Sequence, residues 1–203
     1  NPDTVFYHMP RLVEHVDALA TREISGIYRR LLTPGTRVLD LMSSWVSHLP
    51  EELDLEVAGL GLNEQELQKN PRLGERVLHD LNTTPELPYP DASFDAVVCA
   101  NSVEYLVRPL EVFAEIARVL KPGGVAAIVF SERWFPPKVI SLWTELHPFE
   151  RLGLVLEGLR RTGRFDDLNS ESVRGYPRPD DDKYFGMMPC ADPVYAAWGR
   201  RSD

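Results

Sequence analysis

The feature that most constrains the fold is a short apolar run interrupted by an acid, residues 38–41, followed by small polar residues and a second apolar segment. Such a run is typical of a buried parallel strand that leads into a tight turn and a helix. In α/β folds, ligands bind at the carboxyl ends of the central strands, where a helix N-terminus presents backbone amides. We therefore expect a strand, a ligand-binding turn and a helix over residues 38–50.

Strand-like runs and helix-like segments alternate along most of the chain. Further strands are predicted near residues 56–62, 75–79, 94–100, 125–130, 170–176 and 194–198. Helical spacing predicts one or two helices over residues 12–31 that begin at Pro10, a short helix over 63–70, a helix opened by Pro109, and a mostly helical stretch over 134–161 with a break near Pro148. This alternation favours a parallel sheet with right-handed crossovers. We predict an α/β Rossmann-like three-layer sandwich, with a mostly parallel seven-stranded sheet that ends in an antiparallel hairpin.

Length and composition predict the domain organisation and exclude some function classes. The 203 residues suit a single domain, with an N-terminal helical flap over 1–34, a core over 35–131 and a helical and hairpin part over 132–203. The net charge of -9 argues against nucleic acid as a partner. Two cysteines without metal-site spacing fit a cytoplasmic setting and predict no metal, and the apolar runs are too short to predict a membrane span. The oligomeric state is not readable from the sequence.

Two strings identify a family resemblance. LPYPDASFDAVV occupies residues 87–98, and RVLKPGG follows at residues 118–124. In this order the strings resemble the class I S-adenosylmethionine-dependent methyltransferases, especially the group called type 11, over residues 36–131. Any other doubly wound α/β domain is the alternative. The resemblance implies a methyltransferase that uses S-adenosyl-L-methionine and a small-molecule methyl acceptor.

The resemblance implies a cofactor-binding turn after the first strand. Asp40 matches the family's acid, and Met42, Ser43 and Ser44 occupy the turn in which the family has glycines. The small serines allow a close approach to the cofactor, and their hydroxyls are able to bond a carboxylate. Met42 and Val46 are not expected to replace glycine if the turn needs a positive φ. The turn is therefore expected to follow a different path, or the cofactor to lie differently.

Three further positions carry the implied cofactor contacts. Gly61 stands where the family has the acid that binds the ribose hydroxyls, so Asn63 is the candidate for one hydroxyl, or else only a helix cap. Asp80 matches the acid that holds the adenine amino group, with Leu81 beside it. Its alternative role is to cap a loop. Asn101 is expected near the methionine end of the cofactor.

Methyl transfer needs alignment and exclusion of water more than a dedicated acid–base pair, but a hydroxyl or amine acceptor requires a base. His8 in the flap and His48 in the turn are the candidate bases, although a structural role remains open for each. Tyr105 is a further catalytic candidate, and Trp45 and Tyr7 are candidates for the pocket wall, with anchoring of a helix to the core as the alternative role of Trp45. His15 and His147 are predicted to lie in helical segments.

Three functions remain open at this point. The first is a methyltransferase that acts on a small molecule, and the second is a non-catalytic relative that binds the cofactor or a partner. The third, a nicotinamide-dependent oxidoreductase, is disfavoured because the chain has no G-x-G-x-x-G motif. The run of three acids at residues 180–182 is expected to be solvated rather than to bind a cation.

Overall fold

The computed structural model describes residues 3–203, apart from the side chain of Thr4. It contains a sheet of seven strands: β1 (Thr36–Leu41), β2 (Leu55–Gly61), β3 (Glu75–Leu78), β4 (Phe94–Ala100), β5 (Leu120–Phe130), β6 (Phe165–Val173) and β7 (Val194–Arg201). The strand order is β3-β2-β1-β4-β5-β7-β6. Strands β1 to β5 pair in parallel, whereas β7 runs antiparallel to both β5 and β6. The predicted fold class and its closing hairpin are confirmed, although β6 begins earlier than expected.

The helices surround this sheet. They are α1 (Asp3–Phe6), α2 (Ala18–Leu31), α3 (Glu64–Lys69), α4 (Pro109–Val119), α5 (Ser141–Glu145) and α6 (Pro148–Arg161), with a short 3-10 helix η1 (Val103–Tyr105). Pro109 opens α4, and Asn63 caps α3 by accepting a hydrogen bond from Glu66 N, as predicted. The prediction that a helix starts at Pro10 is wrong. The long N-terminal helix starts at Ala18, where Asp17 accepts a hydrogen bond from Ala20 N.

Alternating residues of the strands build two cores on opposite faces of the sheet. Val38 belongs to the core under α2, whereas Leu39 belongs to the core under α4 and α6. The same alternation separates Val98 from Val97 in β4. Because successive side chains of a strand point to opposite faces, buried strands of this kind carry apolar residues at nearly every position. The result is a three-layer arrangement with the sheet in the middle.

The prediction of a helix directly after β1 is wrong. The structure has irregular backbone from residue 43 to residue 54. Polar bonds to other parts of the chain hold this segment, since Asn70 Nδ2 donates to the Ser44 carbonyl at 2.8 Å and to Ser47 Oγ at 2.9 Å. Serine side chains that bond elsewhere compete with helix formation. We call this segment, residues 43–54, the serine loop.

A strap between β6 and β7, residues 174–193, is fixed by a buried cluster of ion pairs. Arg178 pairs with Asp192 at 3.0 Å and with Asp182 at 3.0 Å, and it lies 3.4 Å from Asp17. The expectation that the acids at residues 180–182 are solvated is therefore wrong for Asp182, which forms an ion pair with Arg178. Asp17 also accepts a hydrogen bond from Asp192 N at 2.6 Å. The cluster ties the strap to the start of α2.

None of the helices among residues 3–203 is both long and apolar enough to span a bilayer.

Candidate active site

The carboxyl ends of β1, β2 and β4 and the segment after β3 surround one cavity. Its wall includes every residue that the sequence predicts to bind the cofactor: Asp40, Met42, Ser43, Ser44, Asn63, Asp80, Leu81 and Asn101. These residues come from four separate stretches of the chain. Parallel strands bring their carboxyl ends to one edge of the sheet, which is where open α/β folds bind ligands. Their contact with a cofactor stays a prediction.

Asp40, near the end of β1, holds the start of the serine loop. It is buried, and its Oδ2 atom accepts hydrogen bonds from Ser43 Oγ at 2.6 Å and from Ser47 Oγ at 2.5 Å. Burial raises the pKa of Asp40 to about 6, although both serine hydroxyls oppose the shift. At neutral pH the carboxylate is mostly ionised, so these bonds are charge-assisted and strong. Both bonds end on the same oxygen, which leaves Oδ1 unused by the serines.

The turn after β1 crosses the end of β2. Met42 has φ 57°, so the expectation that methionine is not able to replace glycine at a positive φ is wrong. Next to it, Ser43 N donates to the Leu60 carbonyl at 2.7 Å. A Cβ atom at Gly61 would lie 2.2 Å from the Ser43 carbonyl oxygen. The close passage of the turn therefore requires glycine at position 61 and excludes an acid there.

An N-terminal flap, residues 3–17, covers the cavity and contributes to its wall. Asn63 Nδ2 donates to the Tyr7 carbonyl at 2.8 Å and to the His8 carbonyl at 3.3 Å, while Asn63 Oδ1 caps α3. Both ends of this amide are therefore engaged. The predicted flap, 1–34, extends beyond this segment, and residues 1 and 2 lie outside the described residues.

Glu66 joins the flap to the serine loop. Its Oε1 atom accepts a hydrogen bond from Arg11 N at 2.6 Å, and its Oε2 atom accepts one from Ser44 Oγ at 2.7 Å. Glu66 is buried and lines the cavity. The spacing from Asn63 to Glu66 is typical of a capping box, and this is the only role that the sequence indicates for Glu66. No local pattern predicts its contacts, because both partners lie more than 20 residues away.

Asp80 combines the two roles that the sequence leaves open, since it lines the cavity and also caps a turn. Its Oδ1 atom accepts hydrogen bonds from Asn82 N at 2.9 Å and Thr83 N at 3.3 Å, and its Oδ2 atom accepts one from Thr83 Oγ1 at 2.9 Å. A carboxylate has about four acceptor sites, so Asp80 retains capacity for a ligand. Leu81, beside it, is buried in the wall.

Asn101, directly after β4, carries two unfavourable features at the cavity. Its backbone has φ 49°, and the side chain is buried with no hydrogen-bond partner for Nδ2 or Oδ1 within the described part of the chain. An unpaired buried polar group destabilises a fold by about 1–3 kcal/mol, and a left-handed backbone adds about 1–2 kcal/mol. Such features concentrate at functional sites. This amide is therefore well suited to bond a ligand.

Aromatic side chains form the side of the cavity next to the flap. Phe135 and Tyr105 stack with their ring centroids 6.1 Å apart, and Tyr7 also lines this side. Tyr105 Oη accepts a hydrogen bond from Phe135 N at 2.9 Å. Burial and the nearby Glu104 raise the pKa of Tyr105 far above its usual range, so its hydroxyl stays protonated. Tyr105 is therefore able to position a ligand but not to act as a base at neutral pH.

His48 and His15 line the same cavity, as does His79. Burial lowers the pKa of His48 to about 4, with a further lowering by His15, and His48 Nδ1 has no partner among residues 3–203. Burial also lowers the pKa of His15, whose ring packs edge-on against Phe135 at 5.6 Å. Both imidazoles are therefore neutral at neutral pH.

The structure corrects three predictions about candidate residues. His8 is exposed and does not line the cavity, because only its backbone carbonyl faces Asn63. His15 does not lie in a helix but in irregular backbone between α1 and α2, and His147 is the cap of α6. Trp45 is also absent from the cavity wall. Its Nε1 donates to the Val13 carbonyl at 3.1 Å, so the indole anchors the flap. Across residues 3–203, the acids, histidines and cysteines form no cluster suited to a metal ion.

Comparison with known proteins agrees with this geometry. Residues 43–128 match the family model described as a methyltransferase domain. A demethylmenaquinone methyltransferase of Deinococcus radiodurans is 38% identical over 100 residues, which cover 46% of this chain and 39% of that protein. A ubiquinone/menaquinone biosynthesis C-methyltransferase of Laribacter hongkongensis is 33% identical over 104 residues, which cover 51% of this chain and 41% of that protein. The chain thus matches less than half the length of these relatives.

Solved structures share the fold at low sequence identity. The [4+2]-cyclase SpnF superposes with a TM-score of 0.65 at 18% identity, covering 98% of this chain and 91% of that one. At this identity the similarity shows the arrangement of helices and strands and does not identify a reaction.

Proposed function

We propose that this chain, whose residues 43–128 match a methyltransferase domain, is a class I S-adenosylmethionine-dependent enzyme that methylates a small molecule. The observation that supports this most is the convergence of eight separately predicted residues on one cavity at the carboxyl ends of the strands. Among them Asn101 holds an unpaired buried amide, which a bound ligand would satisfy. The sequence match and the cavity together support a methyltransferase function more strongly than either observation does alone.

The residues present fit S-adenosylmethionine, although the turn after β1 lacks the family's glycines and position 61 lacks the family's acid. The serine loop passes over Gly61, so the missing acid at that position follows from sterics and not from loss of the site. Asp80 and Leu81 are the proposed contacts of the adenine, and Asn101 and Ser43 those of the methionine end. Asn63 and Glu66 line the same cavity, and we propose them as the contacts of the ribose. The cofactor supplies a methyl group on a sulfonium, which is already activated for transfer.

The chain's own task is to hold and orient the acceptor and to exclude water. The flap closes the cavity through its bonds to Asn63 and Glu66, and Tyr7, Tyr105 and Phe135 present aromatic surface. His48 is the proposed acceptor of a proton, since its Nδ1 is unpaired and its ring is neutral at neutral pH. We retain Tyr105 as a positioning residue and do not retain His8.

We infer that the acceptor is an aromatic hydroxyl compound such as a hydroquinone. The aromatic side chains Tyr7, Tyr105 and Phe135 in the cavity wall favour a planar ring. A weakly basic imidazole hydrogen-bonds a neutral hydroxyl, and a phenolic hydroxyl, whose pKa is about 10 in tyrosine, is far more acidic than an aliphatic one. The names of the two relatives refer to quinone biosynthesis, which agrees with this class.

The two thiols, Cys99 and Cys190, are not joined in a disulfide, which supports the cytoplasm as the proposed setting.

Release of S-adenosylhomocysteine from S-adenosylmethionine in the presence of candidate acceptors tests the proposal. A panel of hydroquinones and phenols is compared with aliphatic alcohols and amines of similar size. We expect turnover with the aromatic hydroxyls, and a loss of kcat in His48→Ala without a matching loss of cofactor affinity. His8→Ala is the matched control, because that ring is exposed and outside the cavity. Turnover that prefers amines, or His48→Ala at full rate, would contradict the acceptor class and the proposed base.

A further inference from the structure

A second cavity lies on the opposite side of η1 from the candidate active site. The residues around η1 alternate between the two spaces, with Ser102 and Tyr105 lining the first cavity and Val103 and Leu106 lining the second. Helices α4 and α6 form its other walls, and Ile140 and Trp143 complete it. The two cavities share no lining residue. Whatever binds in the second cavity therefore meets a different set of side chains.

The second cavity has a volume of about 240 Å³. It is a pocket partly open to solvent, since the exposed Leu110 forms part of its wall. A cavity of about 150 Å³ lined by leucine, isoleucine and phenylalanine is sufficient to stay dry and to bind benzene. The space beside η1 is larger than that. It is therefore able to hold a ligand of at least one aromatic ring.

The walls of the second cavity are almost entirely apolar. They consist mainly of Val103, Leu106, Phe113, Ile140, Leu154 and Val155. Two charged residues, Glu157 and Arg161, stand at the rim, and they pair with each other at 2.8 Å. Their charges thus compensate one another. A neutral apolar ligand suits this lining better than a charged one, because burying an uncompensated charge is strongly unfavourable.

A glycine inside α6 lets one wall residue of this cavity, Phe113, pack against the helix. A Cβ atom at Gly158 would lie 2.3 Å from Cε2 of Phe113, so the absence of a side chain lets the ring lie against the helix. Glycine destabilises a helix interior relative to alanine. A larger residue at position 158 would displace Phe113, which itself lines the cavity. Gly158 is therefore unfavourable for the helix but allows the close packing of Phe113.

We propose that the cavity between η1, α4 and α6 is a binding site for a neutral apolar group, an aromatic ring or a short hydrocarbon chain. The site is separate from the cofactor cavity, and it does not depend on the proposed methyl transfer. Because η1 forms a wall of both cavities, a ligand in the second one contacts the segment that carries Tyr105.

Benzene is a suitable probe, and methyl-selective NMR is the measurement. In the wild-type chain we expect saturable shifts of the methyl groups of Val103, Leu106 and Val155, and magnetisation transfer from benzene protons to the same groups. Transfer only to side chains of the first cavity, or shifts that do not saturate in the folded protein, would overturn the proposal.

Two substitutions on α6 form a matched pair. Leu154 and Leu156 are both partly buried on this helix, but only Leu154 lines the cavity. Leu154→Phe fills the space, so benzene binding should fall by about tenfold or more, whereas Leu156→Phe should retain it. Equal binding by both variants would contradict the assignment. If Leu154→Phe does not fold, the wild-type magnetisation transfer still decides the question.

Discussion

Glu104 provides the most quantitative prediction of the structure. Its side chain is 1% exposed, and neither carboxylate oxygen has a partner among residues 3–203. Burial raises the pKa of Glu104 to about 8 from an ordinary value of 4.5, against smaller opposing effects of its own backbone amide and of Arg151. The folded chain therefore holds this proton over a pH range in which the unfolded chain releases it. Glu104→Gln replaces the carboxyl by a neutral group of the same shape.

The magnitude follows from the two pKa values. An acid whose folded pKa is raised makes the folded state progressively less stable as the pH rises from the unfolded pKa to the folded one. A tenfold change in a protonation ratio corresponds to about 1.4 kcal/mol. Between pH 5 and pH 8, Glu104 alone should thus lower the free energy of unfolding by about 3 to 4 kcal/mol. That is a large part of the stability of a typical domain, about 5–15 kcal/mol.

Urea unfolding followed by far-UV circular dichroism at pH 5, 6, 7 and 8 measures this effect. The relevant quantity is the difference between variant and wild type at each pH, because Asp40 and His48 titrate in both proteins. We expect Glu104→Gln to be close to wild type at pH 5 and about 3 to 4 kcal/mol more stable at pH 8. Glu111→Gln, on the exposed first turn of α4, is the matched control without this dependence. A constant difference across the series would refute the reasoning.

Four further substitutions concern stability and use the same denaturation assay. Gly61→Ala should lower the free energy of unfolding by about 1–3 kcal/mol or more, since its Cβ would overlap the Ser43 carbonyl. Gly153→Ala in α6, where the Cβ would meet open space, should raise the free energy of unfolding by about 0.5–1 kcal/mol. Arg178→Met should destabilise the chain by about 3–5 kcal/mol because it leaves Asp17 buried without a cation and Asp192 with Arg133 alone, and unchanged urea midpoints would show that the cluster is not structural. Arg160→Met, which removes only an exposed pair with Glu157, should shift the midpoint little.

The sequence predicts those parts of the fold that depend on local pattern. Pro109 marks the start of α4, Asn63 marks that of α3, and the apolar runs give the strands. Once the strands are parallel, the meeting of Asp40 and Asp80 at one edge follows from geometry, and both line the cavity. The resemblance then supplies the cofactor that this edge is expected to bind.

The features that the sequence does not predict all depend on long-range contacts. The serine loop replaces a helix because Ser44 bonds Glu66 and accepts from Asn70, both far along the chain. His15 lines the cavity because the flap packs on Phe135, which no local periodicity reveals. Gly61 lacks a side chain because the turn after β1 passes over it. Such contacts exist only once the sheet and flap are assembled.

Calorimetric titration of the chain with S-adenosylhomocysteine tests the central claim most directly. We expect a saturable heat of binding to the wild type. Affinity should be about tenfold or more weaker in Asp80→Ala, as expected for the loss of a charge-assisted hydrogen bond, and unchanged in Leu156→Phe, which lies outside both cavities. No heat at millimolar ligand, or equal affinity in Asp80→Ala and the wild type, would show that this cavity does not bind the nucleoside and that only the fold is shared with methyltransferases.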